Sequence, residues 1–428
     1  MPTLHVIDPL LKHAGGHYLG QHQALWQLCQ SAGFHMIIYC HNEFTESQAP
    51  DGVKVHKVFS DYSGSNPIDH CCVTLGISNQ SCFEDLKNID VSSFKLEDVL
   101  FLTSATAERV VAYGHWLRSF IEDFGGRLGI YTTVSSEIDD TMGRSIRRDG
   151  IEISEESFSK LDDVVITNEL KCSMYRYLFD SLPTLASENV KVFYEEPFPN
   201  PKYLELCRNP NIEFTYLHSM YPGTDEGRME RTQETLTITY LGSGGVGDDN
   251  KGHHLLGDII DTINGARSNI DFNIHLGKAS KGGVDDDLVL IKKKIEQHTN
   301  VSVFMGLLDC NQYSELLEKS DIVIMPYGPR YGHIMSGVFD DCLFLGIPCV
   351  IPKQSKMALW LDRHNVNFSS FNDWDAASIS SAIDQVIDRY DYFYEQFQHA
   401  QKICRIRWET RNPFTVFGIP LKLAKDLG

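Results

Sequence analysis

The stretch SDIVIMPYGPRYGHIMSGVFDDCLFLGIPCVIP, residues 320–352, decides the fold because it contains a complete strand–loop–helix–strand unit. The apolar run Ile322–Met325 predicts a strand that enters a loop rich in proline, glycine and tyrosine. The turn Ser336-Gly337 then opens a helix that ends at Gly346, and Ile347–Ile351 predicts the next strand. A unit of this kind is typical of α/β proteins.

The Ser336-Gly337 turn also has the properties of a phosphate site. A turn of small residues at a helix N-terminus presents backbone N–H groups and the positive end of the helix dipole. Asp341, one turn further along, is placed to take a ribose hydroxyl, and the segment Tyr327–Tyr331 is placed to border a base or sugar. The pattern therefore predicts a nucleotide-diphosphate site, and the spacing leaves open a plain α/β unit without a ligand.

Length and composition limit the class of protein. The chain has 428 residues, more than one hydrophobic core usually serves, so we expect two domains. The 38 basic and 58 acidic residues give a net charge of −20, which disfavours a nucleic-acid partner. The sequence shows no signal peptide and no apolar run of about 18 residues. We therefore expect a cytoplasmic protein without a transmembrane segment, and a peripheral contact with a membrane surface stays open.

Strand and helix patterns alternate in both halves of the chain, which indicates parallel sheets covered by helices on both faces. A proline-rich break at Glu195–Pro201 and an irregular stretch separate the halves, and the alternation restarts at Thr235. The predicted fold class is α/β, with two Rossmann-like, doubly wound domains facing each other across a cleft. The expected boundaries are 1–200 for an acceptor-side domain, 201–234 for a linker, 235–400 for a nucleotide-binding domain and 401–428 for a tail that packs back toward the first domain.

The run Gly242-Ser243-Gly244-Gly-Val-Gly247 follows a strand and matches the pattern G-x-G-x-x-G. A dinucleotide site also needs a helix that begins inside the pattern and an acidic residue at the end of the next strand, and the sequence offers neither. We interpret the run as a glycine loop facing a ligand, with Lys251 reaching a diphosphate as a point charge. The alternative is an exposed turn with a solvated lysine.

Two other patterns invite a metal interpretation. His13 and His17 flank Gly15-Gly16, where a loop is expected, and together with His22 they lack the further ligands that zinc requires. The acidic run Asp285–Asp287 is better explained as the N-terminal cap of a helix. We therefore predict no metal, and expect His17 to act as a base or to hold an acceptor, with an inert surface histidine as the alternative.

Lys251-Gly-His-His-Leu-Leu256 and Gly346-Ile-Pro348-Cys-Val350 together carry a family resemblance. The chain resembles a GT-B glycosyltransferase of the family 4 (group 1) type, in a divergent form, over most of its length. The resemblance implies transfer of a sugar from a UDP or GDP donor to a glycan, glycolipid or protein-linked acceptor, as in polysaccharide biosynthesis. It also implies retention of configuration and no cofactor beyond the donor.

The resemblance implies a donor site that departs from the family pattern. Counting back from Gly346, the two family glutamates fall at His333 and Asp341, of which only the aspartate keeps a carboxylate. The usual arginine falls near Ser243, and Arg330 is the candidate to replace its charge. The expected donor-binding residues are Gly16, Gly242, Ser243, Gly244, Lys251, Tyr327, Arg330, His333, Ser336, Gly337, Val338 and Asp341.

In the first half, two family histidines fall at Thr103 and Ser135. The expected catalytic residues are therefore His17, Thr103, Ser135 and Lys251. The departures leave open two alternatives: a sugar-nucleotide epimerase or phosphorylase-like enzyme of the same fold, and a protein that binds a nucleotide sugar or a partner without turnover.

Overall fold

The computed structural model describes most of the chain as two compact units. The described residues are 1–12, 17–60, 72–120, 126–132, 168–182, 189–194, 207, 212–216, 235–242, 251–277, 286–306, 308–329 and 335–421. The first unit comprises Met1–Ala14, Gln21–Met220 and Trp408–Gly428, and the second comprises Gly15–Gly20 and Tyr221–Arg407. The predicted boundaries of the linker and tail stay predictions.

The described part of the first unit is a parallel sheet with helices. The strands are β1 (Thr3–Asp8), β2 (His35–His41), β3 (Lys54–Phe59), β4 (Val99–Ala105), β5 (Arg127–Thr132), β6 (Val190–Tyr194) and β7 (Glu213–Tyr216), and the helices are α1 (His17–Ala32), α2 (Cys72–Leu86), α3 (Val110–Phe120) and α4 (Asn168–Ser181). Residues 17–20 of α1 are assigned to the second unit. The strand order is β3-β2-β1-β4-β5-β6-β7, and neighbouring strands are parallel. Every residue of β4 is buried, as expected of a central strand covered on both faces.

The second unit repeats this design. Its described elements are β8 (Leu236–Gly242), α5 (Leu256–Ala266), β9 (Ile270–Leu276), α6 (Asp286–Ile295), β10 (Val301–Met305), α7 (Cys310–Glu318), β11 (Ile322–Ile324), α8 (Gly337–Leu345), β12 (Cys349–Pro352), α9 (Lys356–Arg363), β13 (Ser369–Phe371), α10 (Ala376–Asp388) and α11 (Tyr390–Arg411). Residues 408–411 of α11 are assigned to the first unit. The parallel strands lie in the order β10-β9-β8-β11-β12-β13. The order reverses between β8 and β11, and ligands of doubly wound sheets bind at the carboxyl ends of strands beside such a reversal.

The last described helix, α12 (Pro413–Val416), belongs to the first unit. The ring of Phe414 meets Phe34 edge to face, with 5.0 Å between the ring centroids. Phe414 is almost completely buried in the first unit.

The predicted fold class is confirmed by two doubly wound sheets, and residues 320–352 form β11, α8 and β12 in the predicted order. The sequence patterns did not predict α2, β6, β7, α9 or β13.

Candidate functional site

The candidate site lies at the carboxyl ends of β8 and β11 in the second unit. Gly252 follows β8 with a left-handed backbone, φ 70°, and a Cβ atom there would lie 2.1 Å from the carbonyl oxygen of Pro326. Because no side chain fits in that space, only glycine lets the two chain segments approach so closely. This close approach places Lys251-Gly252 directly beside the loop that follows β11.

The segment Pro326-Tyr327 connects the predicted site segments. The Pro326 carbonyl faces Gly252 and also accepts a hydrogen bond of 2.8 Å from the indole Nε1 of Trp374. The hydroxyl of Tyr327 lies 3.2 Å from Oγ of Ser336, the residue before α8. Two consecutive residues therefore link the Lys251-Gly252 segment with the start of α8.

The two ends of α8 differ in the hydrogen bonds that they receive from side chains. At the C-terminal end, the amide groups of Gln398 and Gln401 donate to the carbonyls of Gly346 and Phe344, at 3.2 and 2.7 Å. At the N-terminal end, Ser336 occupies the cap position, but its side chain makes no cap hydrogen bond.

Gly337 and Val338 are half-exposed, and no acceptor among the described residues takes their backbone N–H groups. Because unsatisfied N–H groups and the helix dipole both attract anions, this end of α8 is suited to phosphate.

Lys251 lies near the point at which the strand order reverses, between β8 and β11. The hydroxyl of Tyr240 donates to the Lys251 carbonyl at 3.2 Å, and a Cβ atom at Gly242 would meet the same hydroxyl at 2.2 Å. Glycine at position 242 therefore makes room for the tyrosine that positions Lys251. Burial and the charge of Lys251 both lower the pKa of His275, which lies near the end of β9 and donates from Nε2 to the Gly306 carbonyl at 2.7 Å. The positive charge of Lys251 thus acts on the carboxyl edge of the sheet.

Asp341 is a buried acid inside α8. It is 3% exposed, and its Oδ2 accepts a hydrogen bond of 2.5 Å from the hydroxyl of Tyr313 on α7. Burial raises the pKa of Asp341 to about 7, although the hydrogen bond from Tyr313 acts in the opposite direction. Asp341 therefore changes its charge close to neutral pH, a property that the sequence did not indicate.

In the first unit, the structure reveals a buried pair that the sequence analysis missed. His22 on α1 lies 2.8 Å, Nε2 to Oδ2, from Asp8 at the end of β1, and each is 1% exposed. Burial alone would raise the pKa of Asp8, but His22, the Leu10 N–H and the charge of Arg109 hold it below its ordinary value. The pair joins α1 to the carboxyl end of β1.

The predicted catalytic residues of the first half differ from one another in their surroundings. Thr103 is 1% exposed and donates its hydroxyl to the Ile7 carbonyl at 3.0 Å. The next residue, Ser104, has a left-handed backbone with φ 52°, which is uncommon for a residue other than glycine and often marks a functional segment. His17 is the first residue of α1. Ser135 lies outside the described residues.

The structure brings together part of the predicted donor set in the second unit: Gly242, Lys251, Tyr327, Ser336, Gly337, Val338 and Asp341. Tyr327 is 2% exposed, so its ring is part of the packed loop. The remaining predicted donor residues, which are Gly16, Ser243, Gly244, Arg330 and His333, lie outside the described residues.

A metal site or a membrane span would require features that are recognisable in the described residues. No group of three or more His, Cys, Asp or Glu side chains in those ranges is arranged to hold a metal ion. None of the described helices has the length and apolar character needed to cross a membrane. Helix α6 begins at Asp286, where the acidic run was predicted to cap a helix.

Solved structures with the same fold were found by structural comparison. Sucrose-phosphate synthase from Thermosynechococcus elongatus is 12% identical, with 96% of each chain covered and a TM-score of 0.56. A structure from E. coli, described as trehalose-6-phosphate bound with UDP-2-fluoro glucose, is 11% identical over 94% of this chain and 95% of that chain, with a TM-score of 0.58. The catalytic domain of starch synthase IV from Arabidopsis thaliana, bound to ADP and acarbose, is 12% identical over 96% and 97%, with a TM-score of 0.58.

No family model and no curated protein matches the sequence. At identities of 11–12%, the structural likeness shows the fold, and membership of family 4 stays a prediction. The chain has the GT-B fold, with two Rossmann-like domains, as the sequence predicted.

Proposed function

We propose that this protein is a glycosyltransferase that moves a sugar from a nucleotide-diphosphate donor to an acceptor. One observation carries the proposal. Pro326 lies against Gly252, and the next residue, Tyr327, contacts Ser336 at the start of α8. Both contacts lie where the strand order of the sheet reverses. A diphosphate between a lysine and the N-terminus of a helix has the donors that its charge requires. Two of the similar structures contain a UDP-sugar analogue or ADP, which supports a nucleotide ligand for this fold.

In this proposal, the second unit stabilises the leaving group. Negative charge grows on the diphosphate as the bond to the sugar breaks, and fixed donors aimed at that charge lower the barrier. The backbone N–H groups of Gly337 and Val338 and the ammonium group of Lys251 are the proposed donors. The acceptor is proposed to be a glycan or glycolipid, and retention of configuration follows from the resemblance to family 4.

The donor assignment is tested with Lys251→Ala. UDP-glucose, ADP-glucose and GDP-mannose are each incubated with the protein, and release of the nucleoside diphosphate is followed with and without glycan acceptors. We expect Lys251→Ala to weaken binding of the nucleotide sugar by about tenfold or more, with little effect on the nucleoside, because an ion pair to phosphate is lost.

Lys319→Ala is the matched control, since Lys319 is 63% exposed, pairs with Glu315 in the same unit and should not affect the ligand. Equal losses for nucleoside and nucleotide sugar in Lys251→Ala would contradict the phosphate role.

The same assay distinguishes a second candidate, a protein that binds a nucleotide sugar without turnover. That candidate is favoured by Thr103, whose hydroxyl is already engaged by the Ile7 carbonyl. Saturable binding without donor hydrolysis or transfer would support it and would overturn the enzyme proposal.

A further inference from the structure

The buried Tyr313–Asp341 pair lies in the helix to which the phosphate is assigned. We propose that Tyr313 is a positioning residue that holds the buried Asp341 inside α8, near the Ser336-Gly337 turn, and that donor binding weakens when Asp341 ionises. The inference rests on the proposed function, because it takes the start of α8 as the diphosphate site. It gives Asp341 a role other than the predicted contact with ribose.

The start of α7 holds Tyr313 in position beside Asp341. Helix α7 starts with a capping box in which the side chain of Asp309 accepts from the Gln312 N–H at 2.8 Å and the side chain of Gln312 accepts from the Asp309 N–H at 3.1 Å. Tyr313 follows at once, so its backbone is held where its hydroxyl reaches Asp341 at 2.5 Å. Because the N-terminus of α7 is fixed in this way, Asp341 is held at a defined depth inside α8.

Asp341 is close to the proposed phosphate site. It is four residues after Gly337, which corresponds to about 6 Å along the helix axis. Ser336, which precedes the helix, is joined to Tyr327. A charge on Asp341 would therefore act on a diphosphate at the start of α8 through the interior of the protein.

Among the described residues, the shifted pKa of Asp341 has two causes, burial and the hydrogen bond from Tyr313, and no cation contributes to it. The titratable groups that act on its neighbours Tyr313 and Cys342 also include no cation. They are Tyr327, Asp340 and Cys349, and each is neutral or becomes negative when it ionises.

Asp341 changes its charge near neutral pH, so this change would alter the affinity for the donor in that pH range. Burial raises its pKa to about 7, although the Tyr313 hydrogen bond lowers it. Below this pH the carboxyl group is neutral and does not repel a phosphate. Above it, a buried negative charge roughly 10 Å from the diphosphate would reduce affinity on the order of tenfold at an effective dielectric constant of about 20–40.

The test measures the binding of UDP-glucose, ADP-glucose and GDP-mannose by calorimetry between pH 5.5 and 8.5. Nucleotide sugars are chosen because their phosphate diesters keep the same charge across this range, unlike free nucleoside diphosphates. We expect the affinity of the wild-type protein to fall on the order of tenfold as pH rises through about 7, and that of Asp341→Asn to stay level.

Two further variants separate this role from a merely structural one. Tyr313→Phe removes a hydrogen bond that favours the ionised acid, so the midpoint of the affinity change should move to higher pH. Tyr390→Phe is the matched control, because Tyr390 donates at 3.2 Å to Asp321 in another buried pair of the same unit. The midpoint in Tyr390→Phe should equal that of the wild-type protein.

The possible outcomes distinguish a failure of the Asp341 inference from a failure of the proposed function. Binding without a pH-dependent step, or the same step in Asp341→Asn, overturns this inference alone. Loss of affinity for the free nucleoside in Asp341→Asn shows a direct contact with ribose and also overturns it. Failure of all three nucleotide sugars to bind at any pH overturns the proposed function, and this inference with it.

Discussion

Replacing Asp341 by asparagine should change how the stability of the second unit depends on pH. The pKa of Asp341 is raised by burial to about 7 from 3.8, so the folded state retains a proton that the unfolded chain releases. This group therefore contributes stability that is fully present below about pH 4 and is lost as pH rises through about 7. Asparagine keeps nearly the same shape without ionising.

The size of this effect follows from the pKa. A difference of about three pH units at 1.36 kcal/mol each gives a total of about 4 kcal/mol. Between pH 5.5 and 7.5, the stability of the wild-type protein relative to Asp341→Asn should fall by about 2 kcal/mol.

Urea unfolding at several pH values, followed by tryptophan fluorescence, measures this difference. Tyr390→Phe serves as the control, since its hydroxyl belongs to the Asp321 pair. A difference between wild-type protein and Asp341→Asn that is constant from pH 5.5 to 7.5 would refute the buried neutral acid. A wild-type protein that gains stability relative to Asp341→Asn as pH rises would refute it equally.

Two other substitutions test the construction of the site. Gly252→Ala should cost roughly 2–4 kcal/mol of unfolding free energy, because the new Cβ atom would meet the Pro326 carbonyl and the backbone is left-handed. Gly265→Ala, in α5 with no atom within 4 Å of the new Cβ, should instead be neutral or stabilising, and equal effects would contradict the close approach. Ser336→Ala should cost less than about 0.5 kcal/mol, because its side chain caps no helix N–H, whereas Ser355→Ala should cost about 1 kcal/mol by removing the cap on the Ala358 N–H. The reverse order in thermal unfolding would show that Ser336 caps α8.

The sequence predicted the parts of the fold that local patterns encode. The apolar strands β8, β11 and β12 and the helix ended by Gly346 were all found from periodicity and turn residues. Helix α2 was missed because its buried and exposed residues show little regular spacing. The strand β6 ends directly before the proline-rich break at Glu195–Pro201, and β7 lies within residues 201–234, which were interpreted as a linker.

The candidate site was predicted only in part, because several of its contacts join residues far apart in sequence. Lys251-Gly252 and Ser336-Gly337 carry local signals, namely a lysine–glycine pair and a turn of small residues. Nothing local links Tyr313 to Asp341, 28 positions later, or Trp374 to the Pro326 carbonyl, 48 positions earlier. The raised pKa of Asp341 likewise depends on burial, which is set by how α7 and α8 pack rather than by the neighbouring sequence.

The most direct test of the central claim is calorimetric titration of the protein with nucleoside diphosphate and the matching nucleoside. If the start of α8 and Lys251 hold a diphosphate, UDP, ADP or GDP should bind at least about tenfold more tightly than its nucleoside, and Lys251→Ala should reduce that ratio. Equal affinity for a nucleoside and its diphosphate, or the same ratio in Lys251→Ala, would contradict the account.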